Sequence, residues 1–157
     1  MTLLNRKVDY ALLILCYLYH RVDGGSAREI AAHIGISRPF VANILKDLCR
    51  QWFVMSQRGV HGGYILHPDA SERSMADLID ALDQPVRLAE CSDAVSDDCC
   101  SLAPHCPIRA PIAQVHKRIR EVLQAVRLVE IFTDAAAGEP QPVPLEVSRC
   151  GIPQTAR

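Results

Sequence analysis

The sequence predicts a mainly α protein with a small β-hairpin wing, namely a winged helix-turn-helix domain followed by a long dimerisation helix. Three observations carry this expectation. Two capped helical patterns are joined by the short turn Gly35, Ile36, Ser37; a glycine-rich stretch from Arg58 to Gly63 separates two strand-like runs; and apolar residues recur at alternating steps of four and three from Ile108 to Val129.

Val8, Ala11, Leu12, Leu15, Cys16 and Tyr19 recur at helical spacing over residues 7–20, with Asn5 as the cap, and Asp23, Gly24 and Gly25 end that first helix. Ser26 and Glu29 form a capping box, in which each side chain satisfies an orphan amide, and they open a second helix with Ile30, Ala31 and Ile34 on one face before Gly35. Ser37 opens a third helix with Pro39 in its first turn, where a missing amide proton costs little. Its Val41, Ile44, Leu45 and Leu48 face inward as it runs to about Gln51. Residues 53–57 and 64–67 read as strands around the glycine-rich turn, which would be the wing. Ser74 and Asp77 cap a further helix with Met75, Leu78, Ile79 and Leu82 as its buried stripe.

Periodicity is lost over residues 84–107, where Cys91, Cys99, Cys100 and Cys106 fall within sixteen residues, among Asp, Ser and Pro. Thiolates hold soft metals, and a metal would organise a segment that has no apolar core of its own. Beyond it, Ile108, Ile112, Val115, Ile119, Val122, Val126 and Val129 predict a single helix over residues 108–133. Such a helix is about 40 Å long, too long for the N-terminal domain to cover, so it is expected to pack against its twin. The division that follows is a winged helix-turn-helix domain at 1–83, a cysteine-rich loop suited to a metal at 84–107, the dimerisation helix at 108–133 and a flexible tail at 134–157, rich in Ala, Gly and Pro.

Composition excludes several classes. The 157 residues are 49% hydrophobic and 22% charged, as in a folded protein, and no apolar run approaches the roughly 20 residues of a membrane helix. The N-terminus lacks a secretory pattern, so a cytoplasmic location and seven reduced cysteines are expected rather than disulfides. The net charge of −1 hides an asymmetry: residues 1–67 carry eight Lys/Arg against four Asp/Glu, whereas residues 68–157 carry nine against fourteen. The basic half is the one expected to face nucleic acid. A thiol enzyme built on Cys99 and Cys100 has no support, because no C-x-x-C at a strand-to-helix turn and no nucleophile constellation accompanies them.

The segment Val8 to Leu12 (Val-Asp-Tyr-Ala-Leu), the helix-turn-helix, the wing Arg58 to Tyr64 (Arg-Gly-Val-His-Gly-Gly-Tyr) and three spaced cysteines ahead of a long helix together resemble the IscR and NsrR type of bacterial regulator, the Rrf-two family, over residues 3–133. The resemblance implies a homodimeric, non-enzymatic transcription regulator, by default a repressor, on double-stranded DNA with a pseudo-palindromic operator. It also implies an iron–sulfur cluster, 2Fe–2S or 4Fe–4S, that senses redox state, nitric oxide or iron–sulfur supply. Members with clusters space their three cysteines by five residues; Cys100 and Cys106 enclose five, but Cys91 and Cys100 enclose eight. The ligands implied are Cys91, Cys100 and Cys106, with Cys99 as the alternative to Cys100. The fourth is Asp9 from the other subunit, with His105 and His33 as alternatives. A carboxylate is a harder donor than thiolate and leaves one iron more labile. Two other readings stay open: a zinc site of cysteines with a carboxylate or histidine, and a cluster-free regulator that switches through its thiols or a partner protein. Cys16 and Cys49, among Leu and Ile, read as small core residues.

For DNA the expected contacts are Arg28 on the second helix, Ser37, Arg38, Pro39 and Phe40 at the start of the third, Asn43 and Lys46 on its outer face, and Arg58, His61 and Gly62 in the wing. Two copies of the third helix would enter successive major grooves about 34 Å apart. The Ser37 hydroxyl and helix-terminal amides suit a phosphate, and Arg58 suits the strong negative potential of a narrow minor groove.

Overall fold

The computed structural model describes residues 5–58, 62–84, 86, 88–89 and 105–137. The first helix, α1 (Arg6–Tyr19), is its axis. Val8, Ala11, Ile14, Leu15, Tyr17 and Leu18 are buried, and Leu12, Cys16 and Tyr19 pack partly against the same core. The buried face is wider than a single stripe because α1 is packed on several sides by the elements that follow it. Asn5 caps it by accepting from the Lys7 amide at 3.1 Å.

Helix α2 (Ala27–Ile34) starts on the expected capping box: the Ser26 amide donates to the Glu29 carboxylate at 2.7 Å and the Glu29 amide to the Ser26 hydroxyl at 3.3 Å. Gly35 ends it in the left-handed region, φ 77°, which glycine reaches without steric cost. Helix α3 (Arg38–Arg50) buries Val41, Ile44, Leu45 and Leu48, the four residues its periodicity selects. Its end is unusual. Trp52 takes the left-handed cap position at φ 59°, while the Phe53 amide bonds back to the Leu48 carbonyl and sends the Phe53 ring into the core.

Strands β1 (Val54–Gln57) and β2 (Gly63–Leu66) pair antiparallel, with Val54 opposite Leu66 and Gln57 opposite Gly63. The α1–α2 connection adds a third rung, since Gly25 and Tyr64 exchange both backbone bonds at 3.0 and 2.9 Å. Gly24 sits at φ 74°, and a Cβ there would lie 2.3 Å from the Tyr64 carbonyl oxygen. These glycines therefore anchor the wing to α1 as well as ending the helix. A 3-10 turn (Ala70–Glu72) leads into α4 (Met75–Ala81), opened by the expected Ser74–Asp77 capping box.

The C-terminal part departs from expectation. The single helix predicted over residues 108–133 is two, α5 (Arg109–Ala125) and α6 (Leu128–Ala137), separated where Val126 turns extended at ψ 118°. Residues 126–128 pair instead with the approach to α4: the Met75 amide donates to the Val126 carbonyl and the Leu128 amide to the Arg73 carbonyl, each at 2.9 Å. Beyond the break, Leu128 and Phe132 are fully buried in the N-terminal core. Burying such side chains contributes about 1.5–3 kcal/mol each, whereas the exposed Arg127–Glu72 pair at 2.6 Å is worth at most about 1 kcal/mol. Apolar docking thus fixes α6 on the winged domain, and the ion pair adds little; α5 and α6 together form the C-terminal arm.

The apolar seam is split accordingly. Ile112, Ile119 and Leu123 are half-buried, α5 lying along α4, while Ile108, Val115 and Val122 form a row seven residues apart that is 62%, 47% and 63% exposed. Residues 134–137 continue α6 rather than beginning a tail. The flexible-tail expectation for the remainder, and with it Cys150, lies outside the described residues.

Candidate nucleic-acid interface and metal centre

Helices α2 and α3, joined by three residues, form the helix-turn-helix, and the interior stripe of α3 leaves Arg38, Pro39, Phe40, Asn43, Lys46 and Arg50 exposed. Ser37 occupies the N-cap of α3, yet its side chain makes no capping bond, so its hydroxyl is free to meet an anion beside the first-turn amides. Phe40 is only 38% exposed, because its ring stands edge-on to Tyr10 of α1 with centroids 5.4 Å apart. It is therefore as much a brace between α1 and α3 as an outward contact. Arg28 is exposed in the first turn of α2.

In the wing, Arg58 is exposed immediately after β1 and Gly62 is half-buried immediately before β2, while His61 lies outside the described residues. Arg28, the exposed face of α3 and Arg58 thus all belong to the helix-turn-helix and its wing. An open groove between the starts of α1 and α3, lined by Arg6, Tyr10, Ser37, Phe40 and Asn43, was not anticipated. Arg6 is exposed at its rim. The adjacent basic pair Arg6 and Lys7 was the available signal, but it reads locally only as the start of an amphipathic helix.

Of the residues expected to hold a metal, Cys91, Cys99 and Cys100 lie outside the described residues. Cys106 carries a free, half-buried thiol just ahead of α5, and its carbonyl accepts from the Arg109 amide at 3.4 Å. His105 beside it is exposed. Asp9 is exposed in the first turn of α1, with no side-chain partner among the described residues. His33 is also exposed but leans on Tyr17, with ring centroids 4.9 Å apart. Among the described residues no three metal-binding side chains come together within one chain. Cys16 and Cys49 are half-buried against the core, where burial pushes both thiols up and keeps them protonated, in keeping with a packing role.

Residues 4–134 match the family described as Rrf2, iron-dependent transcriptional regulator. The chain belongs to the Rrf2 family. Protein aau3 of Rhizobium meliloti (strain 1021) is 30% identical over 129 residues, 82% of this chain and 83% of that protein. The solved structure of T. potens IscR is similar with a TM-score of 0.64 at 25% identity, covering 88% of this chain and 92% of that one. That of CymR (YrzC), the global cysteine regulator of B. subtilis, has the same fold, with a TM-score of 0.64 at 24% identity over 85% of this chain and 98% of that one. As an Rrf2 member the chain is a DNA-binding transcription regulator of winged-helix fold and not an enzyme. Among the described residues no helix is long and apolar enough to cross a membrane.

Proposed function

We propose that this Rrf2 protein is a cytoplasmic homodimeric repressor whose hold on a pseudo-palindromic operator is controlled by an iron–sulfur cluster that responds to redox state, nitric oxide or iron–sulfur supply. The carrying observation is a pair of donors that have no side-chain partner among the described residues: the free Cys106 thiol at the foot of α5 and the Asp9 carboxylate on α1. This donor set fits an iron–sulfur centre, with Cys91 and Cys100 as further thiolates, Cys99 able to replace Cys100, and Asp9 supplied by the other subunit. Such a group, of 2Fe–2S or 4Fe–4S type, supplies a redox-labile link whose carboxylate-bound iron is the weakest point. His105 and His33 are the alternative fourth donors.

The exposed row Ile108, Val115 and Val122 supports the dimer, since an apolar stripe at heptad spacing is the seam that a second copy covers. With α6 fixed by Leu128 and Phe132 and α5 packed along α4, a seam on α5 would also set the spacing of the two α3 helices. Arg38, Pro39, Phe40, Asn43 and Lys46 then face the major groove, Ser37 and Arg28 take phosphates, and Arg58 with His61 and Gly62 reaches the minor groove.

A cluster-free or zinc-binding switch is favoured by one feature, the eight residues between Cys91 and Cys100 where cluster-bearing members have five. Anaerobic purification separates the two readings. A cluster regulator is brown and loses operator affinity in a gel-shift titration after nitric oxide or chelator. Colourless protein whose affinity is the same before and after treatment overturns cluster control.

A further inference from the structure

The first turn of α1 is bonded at once to the recognition helix and to the root of the cysteine-rich segment. Lys7 Nζ lies 2.8 Å from Asp47 Oδ2 on α3 and donates to the carbonyl of Leu82, the C-cap of α4, at 3.2 Å. Asn5 Nδ2 donates to Gln84 Oε1 at 2.6 Å, so the chain leaving α4 toward Cys91 is held at two points by residues flanking one helical turn. Asp9 belongs to that same turn, and Tyr10 follows it with its ring against Phe40.

We propose that Lys7 is a positioning residue that carries the state of the cysteine segment to the recognition helix. The inference rests on the reading of residues 91–106 as the sensing segment and α3 as the recognition helix. One ammonium, with three donors, bridges a loop-root carbonyl and a carboxylate on α3, and each end has a distinct fate. Asp47 has a second cation within reach, Arg50 Nη1 at 3.7 Å. Arg50 belongs to α3 itself and faces the other oxygen of the same carboxylate, Oδ1, so when the Lys7 contact is lost Asp47 keeps a partner on its own helix and no longer ties α3 to α1. Lys7 and Asp47 are only 27% and 29% exposed, whereas Arg50 is 66% exposed. The Lys7 pair is the better shielded from water and therefore the stronger of the two. Asp47 lies one turn beyond Asn43, so loss of the Lys7 contact at Asp47 alters the setting of the residues meant to face base edges. A pull on residues 82–84 from the cysteine segment moves the Leu82 carbonyl, and making or breaking the Lys7–Asp47 contact is the two-state element that such a coupled equilibrium requires.

The test measures coupling rather than stability. Operator affinity is determined for the full-length dimer with its cluster and after the cluster is stripped, on duplexes selected by each wild-type form from a randomised palindromic pool. Wild type is expected to show a ratio on the order of 5–150 between the two forms. Lys7→Met and Asp47→Asn should each bring that ratio toward one while iron content and thermal midpoint stay close to wild type. The double variant should lose no more than either single one, as residues of a shared pair do. Lys7→Arg, which keeps the charge, should restore most of the ratio and guards against a Lys7→Met protein that folds poorly. A large wild-type ratio that both single variants retain overturns the role of Lys7 alone. A wild-type ratio of one overturns cluster control itself, and the Lys7 assignment with it.

Discussion

Nε2 of His20, at the C-cap of α1, lies 3.1 Å from the main-chain carbonyl oxygen of Phe132. A carbonyl only accepts, so the ring donates through Nε2–H, and the end of the central helix is bolted to the last helix of the arm. The Phe132 ring completes the joint 5.3 Å from the ring of Tyr19 and is itself fully buried. Phe132→Ala should destabilise the protein by about 3–5 kcal/mol through lost burial and a residual cavity. Urea unfolding followed by circular dichroism reads this as a lower midpoint with little change in slope. A loss under about 1 kcal/mol would mean that α6 is not part of the core.

The exposed row on α5 predicts a separation of assembly from folding. Val115→Glu or Val122→Glu places a charge on a surface that is already 47% or 63% exposed, so the protomer should keep its helicity. Sedimentation should show dimers giving way to monomers, because an unpaired charge in an apolar interface costs several kcal/mol. Dimers unchanged by both substitutions would place the seam elsewhere.

Arg58 stands at the end of β1 with its side chain in solvent, so its removal should leave stability unchanged. Arg58→Ala should weaken operator binding and make the dependence of log affinity on log salt shallower by about one for each phosphate charge that the guanidinium neutralises. Fluorescence anisotropy across a salt series measures both. Equal affinity and slope would remove Arg58 from the interface.

Acid sensitivity should be concentrated in two helix caps. Burial would raise the Asp77 carboxyl, but the Ser74 amide and hydroxyl, with Arg73 and Arg120 nearby, outweigh it and hold it below its ordinary range. Glu29 is lowered chiefly by the Ser26 amide, then by the Ser26 hydroxyl, with Arg21 adding to both. A carboxylate depressed in the folded state adds stability that is fully present above its unfolded pKa and is lost as pH falls through the folded one. Stability should therefore hold down to about pH 4 and fall below it. Asp77→Asn and Glu29→Gln should flatten that acid limb in thermal melts; an unaltered limb would assign acid unfolding to other groups.

The parts of the fold that were legible in the sequence are those encoded locally. Ser26 with Glu29 and Ser74 with Asp77 announce helix starts because the bonds they make span three residues, and the stripe of α3 is set by its own periodicity. The break at Val126 had no such signal. It exists because residues 126–128 pair their backbone with residues 73–75, about fifty positions away, and that partner is invisible to a heptad count. Gly24 and Gly25 were likewise readable as a helix stop but not as a rung of the wing, since the requirement for glycine comes from the Tyr64 carbonyl at Gly24 and from the Tyr17 ring at Gly25. At the site, the outward residues of α3 and Arg58 followed from the same periodicity and turn. The junction at Lys7 did not, because its significance lies in Asp47 and Leu82, which only the folded chain brings to it.

Cluster control is tested most directly by a metal and sulfide assay combined with native mass measurement on protein isolated without oxygen. Wild-type dimer should carry both iron and acid-labile sulfide, and Cys106→Ala and Asp9→Ala should lose most of both while remaining folded dimers. Wild-type dimer at the mass of the bare polypeptide, with neither iron nor sulfide, would contradict it.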